Sequence, residues 1–183
     1  MSLLMFIFPF LNIPEADVDK ENFKNEYTNV LVHGYAGWGD YDWYNGLLPY
    51  WGMNYGDLTK YLSARGFDCV AASVAPTSSA WDRACELYAE LTGTVTDYGK
   101  VHSENCGHDR YGKDYSKKRL IASWSEEDKI NLFGHSFGGA TVRMLAHLLK
   151  NGSAEERAAG EVSPLFEGGK GGWVHAVVTL AAP

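Results

Sequence analysis

A chain of 183 residues is long enough for one domain or for a large part of one. With 45% apolar and 14% aromatic residues it can bury a substantial core, which excludes a disordered chain. The net charge is −7 and no basic block occurs, so no nucleic-acid partner is expected, and no apolar run reaches the roughly 18 residues of a transmembrane segment.

The first ten residues, MSLLMFIFPF, are apolar. They lack the basic start and the small-residue cleavage site of a signal peptide. We interpret them as a packed N-terminal segment, with a signal remnant as the alternative.

Strands and helices are predicted to alternate along the rest of the chain. The ranges are strand 29–33, helix 55–65, strand 67–73, helix 79–91, strand 129–134, helix 137–150 and strand 173–182. The apolar stripes of the three helices are Tyr55, Leu58 and Leu62, then Trp81, Cys85 and Tyr88, then Thr141, Met144, Leu145 and Leu148. This alternation predicts an α/β fold with a mostly parallel sheet and helices on both faces.

Residues 98–128 depart from this alternation, because they are polar and show no clear period. A connection of this length in a compact domain is usually functional or a small subdomain. We therefore expect residues 1–183 to form part of one domain, with 98–128 as an inserted polar loop or subdomain.

Three cysteines, Cys69, Cys85 and Cys106, cannot all pair with one another. No CxxC motif occurs among them. Buried free thiols are the simplest interpretation.

The segment GHSFGG at 134–139 places one serine where a predicted buried strand turns directly into a predicted helix. In a nucleophile elbow this turn forces the serine into a strained backbone, and the residues two positions to either side must lack Cβ atoms. Gly134 and Gly138 meet that requirement, so Ser136 is the candidate nucleophile. The alternative is a glycine-rich turn without chemistry.

A serine that transfers acyl groups needs donors for the oxyanion. In this type of site one donor is the backbone N–H after the nucleophile, here Phe137, and the other lies in the loop after an earlier strand. The stretch LVHGYAGWG at 31–39 provides that loop, with the Tyr35 N–H as the expected second donor. We expect His33 to brace this loop by hydrogen bonding and not to serve as the catalytic base.

Five segments together resemble the thermoalkalophilic bacterial lipases, which are α/β-hydrolases related to the staphylococcal lipases and carry a zinc-bearing insertion. They are VHGYAGWG, WDRACELYAEL, TVTDYG, GHSFGG and SPLFEGG, and the resemblance runs from about residue 28 to residue 183. It implies a secreted enzyme that hydrolyses acylglycerols and other carboxylic esters, with a lid helix, a zinc site and a calcium site.

The chain departs from that family in two respects. Phe137 stands where the family often has glutamine, but its backbone N–H is retained. The resemblance also places the lid, the catalytic acid and histidine, and the calcium ligands beyond Pro183. The chain thus resembles the N-terminal half of the family's catalytic domain, and a free sheet edge would favour self-association.

Asp82, His102 and His108 match the family's zinc ligands by position. Zinc accepts carboxylate oxygen and imidazole nitrogen and usually takes four ligands, so this set is chemically suitable. Taken singly, Asp82 fits a helix N-terminal charge and the histidines fit ordinary surface or core positions. The family's fourth ligand, an aspartate, would lie past residue 183, and Cys106 could compete as a thiolate ligand.

The aromatic segment YDWYNGLLPYWG at 41–52 has two interpretations. It could line an acyl pocket, or it could pack against the sheet. We favour packing, because single aromatic residues are mostly structural.

The function predicted from these features is carboxylic ester hydrolysis of the triacylglycerol-lipase type, with an acyl-enzyme on Ser136. Two alternatives remain: an acyltransferase or thioesterase that uses the same elbow, and a non-catalytic, metal-stabilised binding module derived from a lipase. After Ser136 the chain has only His147 and His175 as histidines and no aspartate. We therefore expect the 183-residue chain alone to be inactive.

Overall fold

The computed structural model describes residues 26–183, so the apolar opening segment and its two interpretations lie outside the described residues. The helices and strands, in chain order, are β1 (Thr28–Val32), α1 (Leu58–Ser63), β2 (Cys69–Ala72), α2 (Ala80–Thr92), β3 (Val95–Asp97), α3 (Lys100–Cys106), β4 (Tyr111–Asp114), β5 (Ile130–His135), α4 (Phe137–Asn151), α5 (Ala154–Ala158), α6 (Pro164–Glu167) and β6 (Val174–Leu180). Short 3-10 turns occupy Trp43–Gly46, Met53–Tyr55 and Gly171–Trp173.

Four strands form a parallel sheet in the order β2-β1-β5-β6. Val30 of β1 lies between Val70 of β2 and Leu132 of β5 in this register. The parallel sheet expected from the alternation of strands and helices is confirmed.

Side chains alternate between the two faces of the sheet. Val30, Val32 and Leu132 pack into the larger apolar core, against α2 and α4. Leu31 and Ala71 point to the other face, into a smaller core with Trp51 and two leucines of α1. Helices therefore cover both faces, as expected from the sequence.

The first predicted helix is shorter than its apolar stripe indicated. Tyr55 lies in a 3-10 turn with its side chain exposed, and α1 begins only at Leu58. The reason is the cap: Asp57 is extended, and its carboxylate accepts the backbone N–H groups of Thr59 and Lys60.

The polar stretch 98–128 contains regular structure. It holds α3 and β4, and β4 pairs antiparallel with β3 as a separate two-stranded sheet. Arg110 joins the two strands from their ends, because its guanidinium donates twice to the carboxylate of Asp97. In residues 26–183 no helix combines the length and apolarity needed to cross a membrane.

Two of the three cysteines agree with the interpretation as buried free thiols. Cys69 and Cys85 are buried and unpaired. Cys106 is free but exposed, since it ends the short helix α3 on the polar stretch.

Two carboxylates of α2 are buried in addition to its expected apolar stripe. Beyond the end of β2, the backbone N–H groups of Ser73 and Ala75 donate to Glu90 and Glu86 respectively. Glu86 also accepts from the hydroxyl of Tyr98. These side chains therefore satisfy buried backbone donors that no neighbouring strand reaches.

Burial raises the pKa of Glu90 from its ordinary value of 4.5 to about 8. Because the folded-state pKa is the higher one, the contribution of Glu90 to stability is full below pH 4.5 and is lost as the pH rises through 8. We expect Glu90→Gln to flatten the decline in unfolding free energy between pH 5 and pH 8.5. The effect should reach a few kcal/mol, at ~1.4 kcal/mol per pKa unit.

Urea unfolding of both proteins at the two pH values measures this difference. The matched control is Glu161→Gln, at an exposed position, and it should leave the slope as in the parent chain. Parallel pH profiles for parent and Glu90→Gln would contradict a raised pKa at Glu90.

Candidate active site and metal centre

Ser136 lies in the turn between β5 and α4. Its backbone has φ of +51° and ψ of −128°, a region that residues with side chains rarely occupy. A Cβ on Gly134 would come within 2.3 Å of the carbonyl oxygen of Gly138, and a Cβ on Gly138 within 2.2 Å of that of Val32. The strained serine and the need for glycine at both positions, expected for an elbow, are confirmed.

The loop after β1 lies directly against this turn. A Cβ on Gly34 would be 2.8 Å from the Cβ of Ser136. Tyr35 and Phe137 follow these two touching residues, so the two candidate oxyanion donors belong to neighbouring backbone segments.

A tyrosine that the sequence did not single out connects these segments. The hydroxyl of Tyr50 accepts the backbone N–H of Gly34 at 3.0 Å. The same hydroxyl lies 2.6 Å from Nδ1 of His135, the residue before Ser136. Tyr50 thereby holds the loop against the serine turn.

His33 is fully buried at the base of the loop. Its Nδ1 and Nε2 lie 2.8 Å and 3.0 Å from the carbonyl oxygens of Gly34 and Val74. Burial outweighs these contacts and lowers the pKa of His33 to about 4, so the ring is neutral at neutral pH. The contacts agree with the interpretation of His33 as a residue that braces the loop.

Arg83 is completely buried below the same loop, and sequence reasoning missed it. Its guanidinium donates to the carbonyl oxygen of His33, to that of Ala75 at 3.0 Å and to Oγ1 of Thr141 at 2.9 Å. Burial lowers the pKa of Arg83 to about 10, which leaves it a cation at neutral pH. The helix pattern of 79–91 did not distinguish Arg83, because this segment also carries the charged residues Asp82, Glu86 and Glu90.

The three residues proposed as metal ligands come together. Oδ1 of Asp82 lies 2.8 Å from Nε2 of His102 and 3.7 Å from Nε2 of His108. Ligand atoms around a tetrahedral zinc with bonds of ~2.05 Å stand about 3.3 Å apart, so these separations bracket the required spacing. This donor set therefore fits a zinc ion.

Neighbouring groups orient these side chains. The hydroxyl of Ser79 donates to Oδ2 of Asp82 at 2.9 Å, which leaves Oδ1 facing the histidines. Nδ1 of His108 lies 2.9 Å from the carbonyl oxygen of Asp109, so its Nε2 is the nitrogen directed at Asp82. Contacts of this kind fix the tautomer of a metal-binding histidine.

Glu156, from the short helix α5, supports the same centre. Its buried carboxylate accepts the backbone N–H groups of Val101 and His102 in the first turn of α3. A carboxylate at a helix N-terminus is favourable for both hydrogen bonding and the helix dipole. Sequence reasoning missed this contact, because 54 residues separate Glu156 from His102.

Cys106 belongs to this neighbourhood as well. Its sulfur lies 3.8 Å from Nδ1 of His102. His102, Cys106 and His108 each offer a ligand atom within 4.8 Å of the others, an arrangement that suits a metal ion.

All six histidines of the chain lie in the described part, and each contacts a group other than the Ser136 hydroxyl. Besides the four above, His147 lies near Asn151 on the same helix, and His175 contacts the ring of Tyr27 from β6. In residues 26–183 the contacts of the histidines therefore do not identify any of them as the base for the Ser136 hydroxyl.

The two ends of the aromatic segment 41–52 have different environments. Tyr50 and Trp51 pack into the smaller core, as favoured. Trp43 and Leu47, in contrast, are 81% and 80% exposed. Packing explains only the end of this segment nearest the sheet.

Comparison with known proteins gives consistent matches. The family described as "Lipase-like, C-terminal domain" matches residues 25–183. Lipase 1 of Staphylococcus aureus strain MRSA252 is 39% identical over 166 residues, which cover 88% of this chain and 24% of that protein. The chain thus spans about a quarter of the length of the curated relatives it matches.

Two solved structures are similar to the described fold. EstA from Clostridium botulinum is 45% identical with a TM-score of 0.80, over 87% of this chain and 36% of that one. Staphylococcus hyicus lipase is 37% identical with a TM-score of 0.80, over 89% and 43% respectively. The parallel sheet and its helices are part of an α/β-hydrolase fold, and the chain belongs to the lipase family described as lipase-like C-terminal domains.

Proposed function

We propose that this chain is the nucleophile-bearing part of a serine carboxylester hydrolase of the lipase type. The observation that carries the proposal is Ser136, held with a positive φ at a strand-to-helix turn between glycines that close backbone contacts require. In the proposed reaction its Oγ attacks the ester carbonyl carbon, the alcohol leaves, and water hydrolyses the acyl-enzyme. The lipase names of the relatives support the same reaction.

The oxyanion of the tetrahedral intermediate would be stabilised by the backbone N–H groups of Tyr35 and Phe137. Phe137 is the first residue of α4, where free N–H groups and the helix dipole favour negative charge. The contact between Gly34 and Ser136 supports a shared site for both donors.

None of the histidines in residues 26–183 is suited to be the base of this reaction, so we propose that another part of the protein or a second chain supplies it. A base must lie within hydrogen-bond reach of the serine hydroxyl, and an acid must orient that base. His33 is neutral and contacts two carbonyl oxygens, while His102 and His108 face Asp82. The described part of the chain therefore presents a nucleophile without a base.

We propose zinc as the ion of the metal centre, bound by Asp82, His102 and His108. When bound it supplies structural cross-linking between α2, α3 and the segment before β4. Cys106 is a candidate for a further position, as a thiolate.

We also propose that the chain self-associates through β6, an edge strand among the residues that the structure describes. β6 is the last strand in the order, and Val177 and Leu180 on it are exposed. Unpaired edge strands with apolar side chains favour pairing between chains.

The purified 183-residue chain should release p-nitrophenol from a short-chain ester no faster than its Ser136→Ala variant. The reason is the missing base. A rate that depends on Ser136 would show that a group within this chain, or from a second copy, completes the site.

In a complete enzyme that contains this sequence, Ser136→Ala should reduce kcat by about five to six orders of magnitude, because nucleophile and base act as a unit. The control Ser116→Ala, at an exposed position, should retain full turnover. Substantial esterase activity in the Ser136 variant would reject the assignment of the nucleophile.

Zinc should stabilise the chain by ~2.7 kcal/mol at a free concentration one hundred times Kd. Thermal unfolding with and without zinc measures this shift. His102→Ala should abolish it, whereas His147→Ala, on the exposed face of α4, should preserve it. An equal shift in both variants would exclude the proposed ligands.

A further inference from the structure

Three consecutive residues in the first turn of α2 contact two different parts of the molecule, His102 of the metal centre and the loop after β1. The ring of Trp81 stacks on the ring of His102, with centroids 5.1 Å apart and planes at 18°. Oδ1 of Asp82 lies 2.8 Å from Nε2 of the same histidine. Arg83 donates to the carbonyl oxygen of His33, where the loop after β1 begins.

We propose that this turn couples the metal centre to the oxyanion loop, defined as residues 33–37, so that a metal ion on Asp82 orders the loop through Arg83. The proposal rests on the metal centre and oxyanion hole proposed above. It makes Arg83 a positioning residue, since it acts on the loop backbone and not on the substrate.

The guanidinium of Arg83 is suited to this linkage because it is planar and its donors have fixed directions. It donates hydrogen bonds to three segments: His33 in the loop, Ala75 after β2 and Thr141 on α4. Because the group is fully buried, water cannot replace a lost bond. A small shift of α2 is therefore costly unless the loop moves with it.

The loop is attached to the same segment at a second point. The backbone N–H of Ala36 donates to the carbonyl oxygen of Pro76 at 2.9 Å, next to the Ala75 carbonyl that Arg83 contacts. Ala36 also has a positive φ of 55°, so this residue is held in a strained conformation. The loop thus depends on external contacts for its shape.

The same turn is connected to the metal centre through Asp82. Ser79 caps α2 and donates to Oδ2 of Asp82, while Oδ1 faces the two histidines. An ion bound at Oδ1 would fix the residue next to Arg83 and the cap of the helix together. Because Asp82 and Arg83 are consecutive residues, fixing Asp82 also restricts the position of Arg83.

The test is amide hydrogen exchange of the 183-residue chain, with and without zinc ions. Zinc should slow exchange in residues 100–108, at the metal centre, and in residues 33–37 by about fivefold, the lower end of coupling between sites. In Arg83→Met, zinc should still protect 100–108 but no longer protect 33–37. The matched control Arg143→Met, at an exposed position of α4, should keep both effects.

A purely structural role for Arg83 makes a different prediction. Exchange in the loop would then rise equally with and without zinc, and the zinc-dependent ratio would not change, which would overturn the coupling. If Arg83→Met does not fold, Thr141→Val removes one of the bonds of Arg83, that from Nε, together with the bond from the Thr141 hydroxyl to the carbonyl oxygen of Phe137, and should reduce the ratio in the loop. An unchanged ratio in that variant would also overturn it.

Failure of the metal centre gives a separate result. Without zinc-dependent protection at 100–108 the metal centre itself is rejected, and the coupling with it. Protection at 100–108 without any in 33–37 in the parent chain rejects the coupling and leaves the metal centre in place.

Discussion

The contact between the backbone at the start of α4 and the end of β1 determines the geometry around Ser136. The position of a Cβ on Gly138 would be only 2.2 Å from the carbonyl oxygen of Val32, so helix and strand meet without side chains between them. This closeness sets the sharp turn out of β5 and the positive φ of Ser136. It also brings the loop after β1 to the serine, because Gly34 touches Ser136. The candidate oxyanion donors are thus adjacent for the same reason that the serine is strained.

Ionisable side chains of α2 form the second set of contacts that fixes the site. Glu86 and Glu90 accept backbone donors after β2, while Arg83 donates to backbone carbonyls after β1 and β2. Loops at the carboxyl ends of parallel strands leave backbone groups without ladder partners, and burying these groups unpaired would cost ~1 to 3 kcal/mol each. One helix supplies both donors and acceptors to them, which allows the loops to be buried and fixed.

Local features made the serine turn and the sheet predictable. The spacing of Gly134, Ser136 and Gly138 follows from one turn, and the alternation of apolar strands with helices already indicates parallel pairing. The start of α1 was not predictable from its apolar stripe, because the cap formed by Asp57 outweighed the match of Tyr55 to that stripe.

Contacts between distant parts of the chain explain the remaining differences. The roles of Arg83 and Glu156 depend on backbone atoms about 50 residues away, and no sequence period reports such a pairing. The helix α3 spans only seven residues, so its own periodicity is too short to detect, and Glu156 stabilises it from outside. The metal-ligand set was found through resemblance, since its spacing is not a general zinc signature.

The small amount of apolar burial in the region of α3 and β4 gives a physical reason for a metal there. Ser103 is the buried residue of α3, and three of the four residues of β4 are exposed. The contacts that hold this region are polar or aromatic: the Arg110–Asp97 pair, the Glu156 cap and the stacking of Trp81 on His102. Segments with little core of their own commonly draw stability from bound metal, which acts as folding free energy. An ion held by Asp82, His102 and His108 would join α2 to this region where apolar packing is weakest, and this favours a structural over a catalytic role for it.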